Sequence, residues 1–128
     1  MGGRPARAGD AALRRDPDPH WAEALARRAL ERRGWVTLAT NARVPGGELD
    51  LVMQDGDAVV FVEVRQRADA RHGGAGESLD ARKRARVRRA AAVWLARHGG
   101  DDRLVRFDAV LVDGQREAPR MRLLRDAF

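Results

Sequence analysis

Between Gly46 and Arg67 the chain reads GGELDLVMQDGDAVVFVEVRQR, two runs of apolar and polar residues on either side of Asp55-Gly56. Alternation with a period of two marks strands, and Asp-Gly between such runs predicts a hairpin closed by a type I′ turn. With Asp55-Gly56 as the loop, Gln54 faces Asp57, Asp50 faces Phe61 and Glu48 faces Glu63. Asp50 then lies diagonal to Glu63, at roughly 7–8 Å. Side chains alternate across a strand, so Glu48, Asp50, Val52, Val59, Phe61, Glu63 and Arg65 are expected on one face. Leu49, Leu51 and Met53 are expected on the other. The segment VVFVEV is apolar at both parities, as in strands covered on both sides. Glu63 is the one charge inside it.

On both sides of the hairpin the apolar spacing lengthens to that of helices. Asp18 as N-cap and Pro19 at the first helical position predict a helix running to about Arg33 and stopping at Gly34. Its buried stripe is Trp21, Ala22, Leu25, Ala26, Ala29 and Leu30, with Glu23 beside it and spaced to pair with Arg27. Trp35 to Arg43 reads as a strand, and Val44-Pro45-Gly46-Gly47 turns it into the hairpin. The loop from Ala68 to Glu77 holds Gly73, Gly74 and Gly76, which suit mobility, close approach to a ligand or a plain connection.

A second helix is predicted from about Leu79 to His98, ending at Gly99-Gly100. Val87, Ala90, Ala91, Trp94 and His98 form its stripe, with His98 expected as a capping or partly exposed residue. Extending the stripe back one turn reaches Lys83, which therefore projects towards the sheet. Six of the eight positions from Arg82 to Arg89 are basic. They form either a solvated face with Lys83 snorkelling or a ridge in which Arg82, Arg86 and Arg89 contact phosphates. Leu104 to Val112 is a further strand beyond a helical crossover, hence parallel to the strand before it. Asp108 is expected to pair with Arg106 or close the sheet end. Arg120 to Phe128 makes a short terminal element.

The 128 residues suffice for one domain with a sizeable core. Residues 1–17 read as a disordered basic tail and 18–128 as a single domain of α/β class, with a mixed sheet flanked by helices. Basic residues number 25 against 19 acidic, a net charge of +6, and 24 of the 25 are arginine. That balance favours a polyanionic partner such as nucleic acid, although arginine in place of lysine also follows from GC-rich coding. With no cysteine, disulfides and thiolate metal sites are excluded. No apolar run approaches the roughly 20 residues that span a bilayer, and no apolar core follows the charged N-terminus. The expectation is a cytoplasmic protein without a membrane partner.

Charge is what makes the hairpin chemically interesting. Glu48, Asp50 and Glu63 crowd one end of one face, with Arg65 beside them. Opposed carboxylates repel, and burying them costs several kcal/mol unless something positive neutralises them. One arginine leaves negative charge over, and a hard cation with oxygen ligands would balance it. Alternatively, Glu48 and Asp50 lie at an exposed strand end, solvated or paired with surface arginines. Glu63 within its apolar run tips the reading towards function.

The order helix, three antiparallel strands, crossover helix, strand resembles the core of the PD-(D/E)XK nucleases, a restriction-endonuclease-like fold. Asp50 followed by Glu63-Val64-Arg65 is similar to the metal-binding signature of that superfamily. More closely, GGELDLV, FVEVRQR, the single lysine on the next helix, RFDAVLV and the closing DAF resemble the YraN family, from about His20 to Phe128. These small bacterial proteins are predicted endonucleases related to Holliday junction resolvases. The resemblance implies Mg²⁺ or Mn²⁺ held by Asp50 and Glu63 with Glu48, and Glu23 as the superfamily's helix-borne acid. It places Arg65 where lysine is usual. Arginine stays protonated, so it can position charge but cannot help deprotonate water. Lys83 is a candidate for the missing ammonium. The catalytic set implied is Glu23, Asp50, Glu63, Arg65 and Lys83, with Arg67, Arg82, Arg86 and Arg89 on flanking phosphates. DNA is the favoured partner over RNA, and a resolvase-like role needs two active sites and therefore a homodimer. A non-catalytic nucleic-acid-binding module on the same fold and a domain binding an acidic protein are the rival readings.

Overall fold

Seven elements follow one another in a computed structural model that describes residues 20–67, 80–99 and 102–128. They are α1 (Trp21–Arg32), β1 (Val36–Val44), β2 (Gly47–Asp55), β3 (Ala58–Arg67), α2 (Ala81–Arg97), β4 (Leu104–Asp113) and β5 (Arg120–Leu124). The strands form one five-stranded sheet in the order β1-β2-β3-β4-β5. β1, β2 and β3 pair antiparallel, β3 and β4 run parallel, and β5 returns antiparallel to β4. This is the expected α/β class with a restriction-endonuclease-like core, extended by β5 where only a short terminal element was expected.

Each helix covers one side of the sheet. The α1 stripe of Trp21, Ala22, Ala26 and Leu30 packs on Leu51, Met53, Val60, Val62, Val64, Val110 and Val112. The α2 stripe of Val87, Ala90, Ala91 and Trp94 packs on Leu49, Val52, Val59 and Phe61. Coverage on both sides is why β3 is apolar at both parities. Beyond α2, the chain end completes that layer: Ala127 N–H donates to Phe107 O at 2.7 Å, and the Phe128 and Phe107 rings lie 5.4 Å apart.

Helix ends follow local chemistry. α1 stops at Gly34, whose φ of +96° suits a residue without Cβ. Its start falls at His20, which makes no side-chain cap bond, while Asp18 and Pro19 lie outside the described residues, as does the 1–17 tail. α2 begins at Asp80, whose carboxylate accepts the Lys83 N–H at 2.9 Å. The Ala68–Glu77 loop and Leu79 lie outside the described residues. At the far end His98 is exposed, its Nδ1 2.8 Å from Trp94 O and its ring stacked on Trp94, the capping role expected.

Two details of the hairpin depart from the sequence reading. The ladder pairs Asp55 with Ala58 and Val52 with Phe61, so the loop is Gly56-Asp57, not Asp55-Gly56. Only Gly56 has positive φ (+61°), the pattern of a type II′ rather than a type I′ turn. Asp55 stays in the ladder because Arg106 Nη2 holds its carboxylate at 3.0 Å. Secondly, Leu49 does not share a face with Leu51 and Met53: it packs under α2, they under α1. The strand changes face at Asp50.

Arg106 also reaches the fully buried Asp108, its Nε 3.0 Å from both carboxylate oxygens, and Asp126 N–H donates to the same group at 3.0 Å. This is the pairing expected for Asp108. Replacing Asp108 with alanine leaves Arg106 half-compensated, and urea unfolding should register a loss of about 3 kcal/mol. Among the described residues, no helix is long and apolar enough to cross a membrane.

Candidate functional site

The ladder between β2 and β3 ends at Leu51↔Val62, one step short of Asp50 and Glu63. Beyond it, side chains replace backbone pairing. Val64 N–H donates to Asp50 Oδ2 at 2.9 Å, and Asp50 N–H donates to the Glu63 carboxylate. The corrected register thus makes Asp50 and Glu63 direct neighbours, where the sequence reading had set Asp50 opposite Phe61 and Glu48 opposite Glu63.

Glu63 is only 2% exposed, and Lys83 Nζ stands 3.6 Å from its Oε1. Burial pushes the Glu63 carboxyl up to about 7, and the charge of Asp50 pushes the same way. Lys83, Arg65 and the Asp50 N–H oppose that rise and do not overcome it. Asp50 is also raised, first by burial and then by Glu48, against the pull of the Val64 N–H, Lys83 and Arg65. Burial thus favours the protonated form of both carboxyls, and the positive charge of Lys83 and Arg65 does not offset it.

α2 delivers Lys83 by a simple device. The Asp80 cap fixes the first turn, and the stripe through Val87 turns Lys83 to the sheet. That first turn holds no acid. Cations at a helix N-terminus add to the positive end of the helix dipole, which the Asp80 cap offsets only in part, so this end suits anions. Arg82, Arg86 and Arg89 are exposed, and Arg86 joins Gly47, Glu48, Asp50, Lys83 and Val87 around a groove of about 150 Å³. The groove leads from solvent to Asp50. Arg67 closes β3, and its side chain lies outside the described residues.

Glu23 approaches from the α1 side. The expected pair with Arg27 does not form, because Arg27 reaches Glu31 instead at 3.1 Å, and Thr37 holds Glu31 from β1 at 2.6 Å. Glu23 Oε1 is shielded from solvent and lies 3.2 Å from His20 Nδ1, an ion-pair distance. Burial and then Asp50 raise its affinity for a proton, opposed by His20 and by a hydrogen bond from the Asn41 side chain. Neither Asn41 nor His20 carries a signal in the sequence; TNARV reads as plain strand.

The structure brings Asp50, Glu63, Arg65 and Lys83 together, with Glu23 in electrostatic reach of Asp50. Glu48 acts on Asp50 through its charge and lines the same groove. Among the described residues no three acids or histidines gather into a ready-made cation cage. The donor set still fits a magnesium-like ion, which is held through one or two carboxylates and completes its shell with water and substrate phosphate.

A family model described as uncharacterised protein family UPF0102 matches residues 22–112. A UPF0102 protein of Halorhodospira halophila is 50% identical over 107 residues, covering 84% of this chain and 83% of its own. One from Yersinia pseudotuberculosis serotype O:1b is 51% identical over 102 residues, covering 78% and 86%. The site's acids and Lys83 all fall inside the matched span, and the chain belongs to the uncharacterised protein family UPF0102, the YraN family expected from its motifs.

Proposed function

We propose that this chain is a Mg²⁺- or Mn²⁺-dependent endonuclease of the PD-(D/E)XK type, hydrolysing phosphodiester bonds in DNA, branched DNA included. One observation carries the reading: the buried Glu63 and the partly buried Asp50 lie side by side, burial raising the proton affinity of both carboxyls, at the end of a groove that Lys83 and Arg86 line. Asp50 and Glu63 are the residues that would hold the ion, assisted by Glu48. Once bound, it supplies a Lewis acid for the phosphate and lowers the pKa of its water. Arg65 stays protonated and stabilises charge developing on the phosphate. Lys83 is 30% exposed, so its ammonium faces both Glu63 and the groove and can orient the attacking water; to deprotonate it, Lys83 must first give up its own proton. Glu23 stands in electrostatic reach of Asp50, and burial and the Asp50 charge raise its proton affinity. A cytoplasmic location fits such a substrate, and acting on both strands of a four-way junction would need two copies of the chain.

The test is cleavage of linear, flap and four-way DNA with and without Mn²⁺. No cleavage of any of them under Mn²⁺ overturns the proposal. Arg65 in the place of the usual lysine favours a second reading, a nucleic-acid-binding module without turnover. That reading gains if junction binding is tight and Mn²⁺ adds no product. For either, Arg86→Ala should weaken binding evenly across sequences and lower the slope of log K against log salt by about 1.

A further inference from the structure

Asn41 has φ +47°, in the left-handed region that residues other than glycine rarely enter. It sits in the middle of β1 rather than in a turn. The ladder pairs Thr40 with Leu51 and Ala42 with Leu49, skipping Asn41 and Asp50 between them. Both strands change face at that step. Ala39 and Ala42, of opposite parity, both pack under α2; Leu51 packs under α1 and Leu49 under α2. In an unbroken strand Leu49 and Leu51 would share a face.

The exchange has a consequence for Asp50. A residue at the crossing of two faces belongs to neither layer, and Asp50 acts electrostatically on Glu23 from one helix layer and on Glu63 from the sheet side where Lys83 stands. Its carboxylate is turned inward along the sheet, where it takes the Val64 N–H. A second, independent contact comes from the Asn41 side chain, which hydrogen-bonds Glu23 and lines a cavity of about 140 Å³ with His20, Glu23, Arg27, Thr40 and Leu51. Asparagine is the residue that meets both demands: it tolerates the left-handed backbone better than other side chains, and its amide can donate to a carboxylate.

We propose that Asn41 is the positioning residue of this site, its backbone kink setting Asp50 between the two faces and its amide holding Glu23 in reach of Asp50. The consequences for cleavage rest on the nuclease reading; the placement of Asp50 does not.

Asn41→Gly keeps the backbone and removes the amide, whereas Asn41→Ala removes the amide and strains the backbone. Amide hydrogen exchange at Val64 reports the Asp50 contact without any assay of activity. In Asn41→Ala, Val64 should exchange at least tenfold faster while Val62 is unchanged, and Mn²⁺ binding measured by calorimetry should weaken about tenfold. In Asn41→Gly, Val64 should keep its protection and Mn²⁺ its affinity, while kcat falls about tenfold at constant KM because Glu23 is released. Should Asn41→Ala fail to fold while Asn41→Gly folds, the backbone requirement is supported. Val64 exchange in Asn41→Ala within twofold of the parent protein, or failure of both variants to fold, overturns the proposal. A parent protein that neither binds Mn²⁺ nor cleaves sinks the nuclease reading alone, and the Val64 comparison still decides the role of Asn41.

Discussion

At pH 8, Glu63→Gln should melt higher than the parent protein while losing Mn²⁺-dependent cleavage. Glu63 binds its proton up to about pH 7 in the folded chain, against 4.5 for an ordinary glutamate. Between those values the folded state holds more protons than the unfolded one, so stability falls as pH rises from 4.5 to 7 and levels off above. A shift of this size corresponds to roughly 3 kcal/mol by pH 8, each unit being about 1.4 kcal/mol. Glutamine fills the same space without the charge. The gain in melting temperature should therefore be on the order of 10 °C at pH 8 and vanish near pH 4. Calorimetric scans across pH read this directly. Mn²⁺ should raise the melting temperature of the parent protein at pH 8 and leave Glu63→Gln unmoved, because only the native carboxylates bind it. If Glu63→Gln is less stable than the parent at every pH, then Lys83 and Arg65 neutralise Glu63 fully, and the charge deficit that carries the metal reading is absent.

Lys83→Ala should lower cleavage about 10³-fold, within the range of a lost proton-transfer group. The same change removes from Glu63 the ammonium 3.6 Å away. Because Lys83 is partly exposed, the stability loss at pH 8 should be only about 1 kcal/mol. Near pH 5, with Glu63 protonated, it should disappear. Lys83→Arg separates the two roles of the ammonium, since arginine restores charge but does not accept a proton at neutral pH. Recovery of stability without recovery of turnover assigns Lys83 to proton handling. Recovery of both assigns it to charge alone. Single-turnover kinetics on the best DNA substrate, beside melts at pH 5 and pH 8, distinguish these results, and unchanged turnover in Lys83→Ala removes Lys83 from the site.

Much of this arrangement is legible one residue at a time, because a period of two or 3.6 reports which way a side chain points. VVFVEV announces a strand covered twice, and α1 and α2 cover it. The α2 stripe, extended backwards, aims Lys83 at the sheet, where it meets Glu63. Spacing within a helix was less informative about partners. Glu23 and Arg27 are suitably placed to pair, yet Arg27 is equally well placed for Glu31, and Thr37 on β1 settles that choice by holding Glu31.

Sequence by itself determined the elements, the buried stripes of the two helices and the gathering of Asp50, Glu63, Arg65 and Lys83 at one sheet end, since these depend on local periodicity. Tertiary structure alone decided the hairpin register and the face change at Asn41 and Asp50. Gly56 can serve as either residue of a two-residue loop at similar local energy, and the distant Arg106 breaks the tie by holding Asp55 in the ladder. The kink at Asn41 is unfavourable for the backbone taken locally. It persists because packing on both helices stabilises Leu49 and Leu51 on opposite sides, a long-range effect that no run of neighbouring residues records.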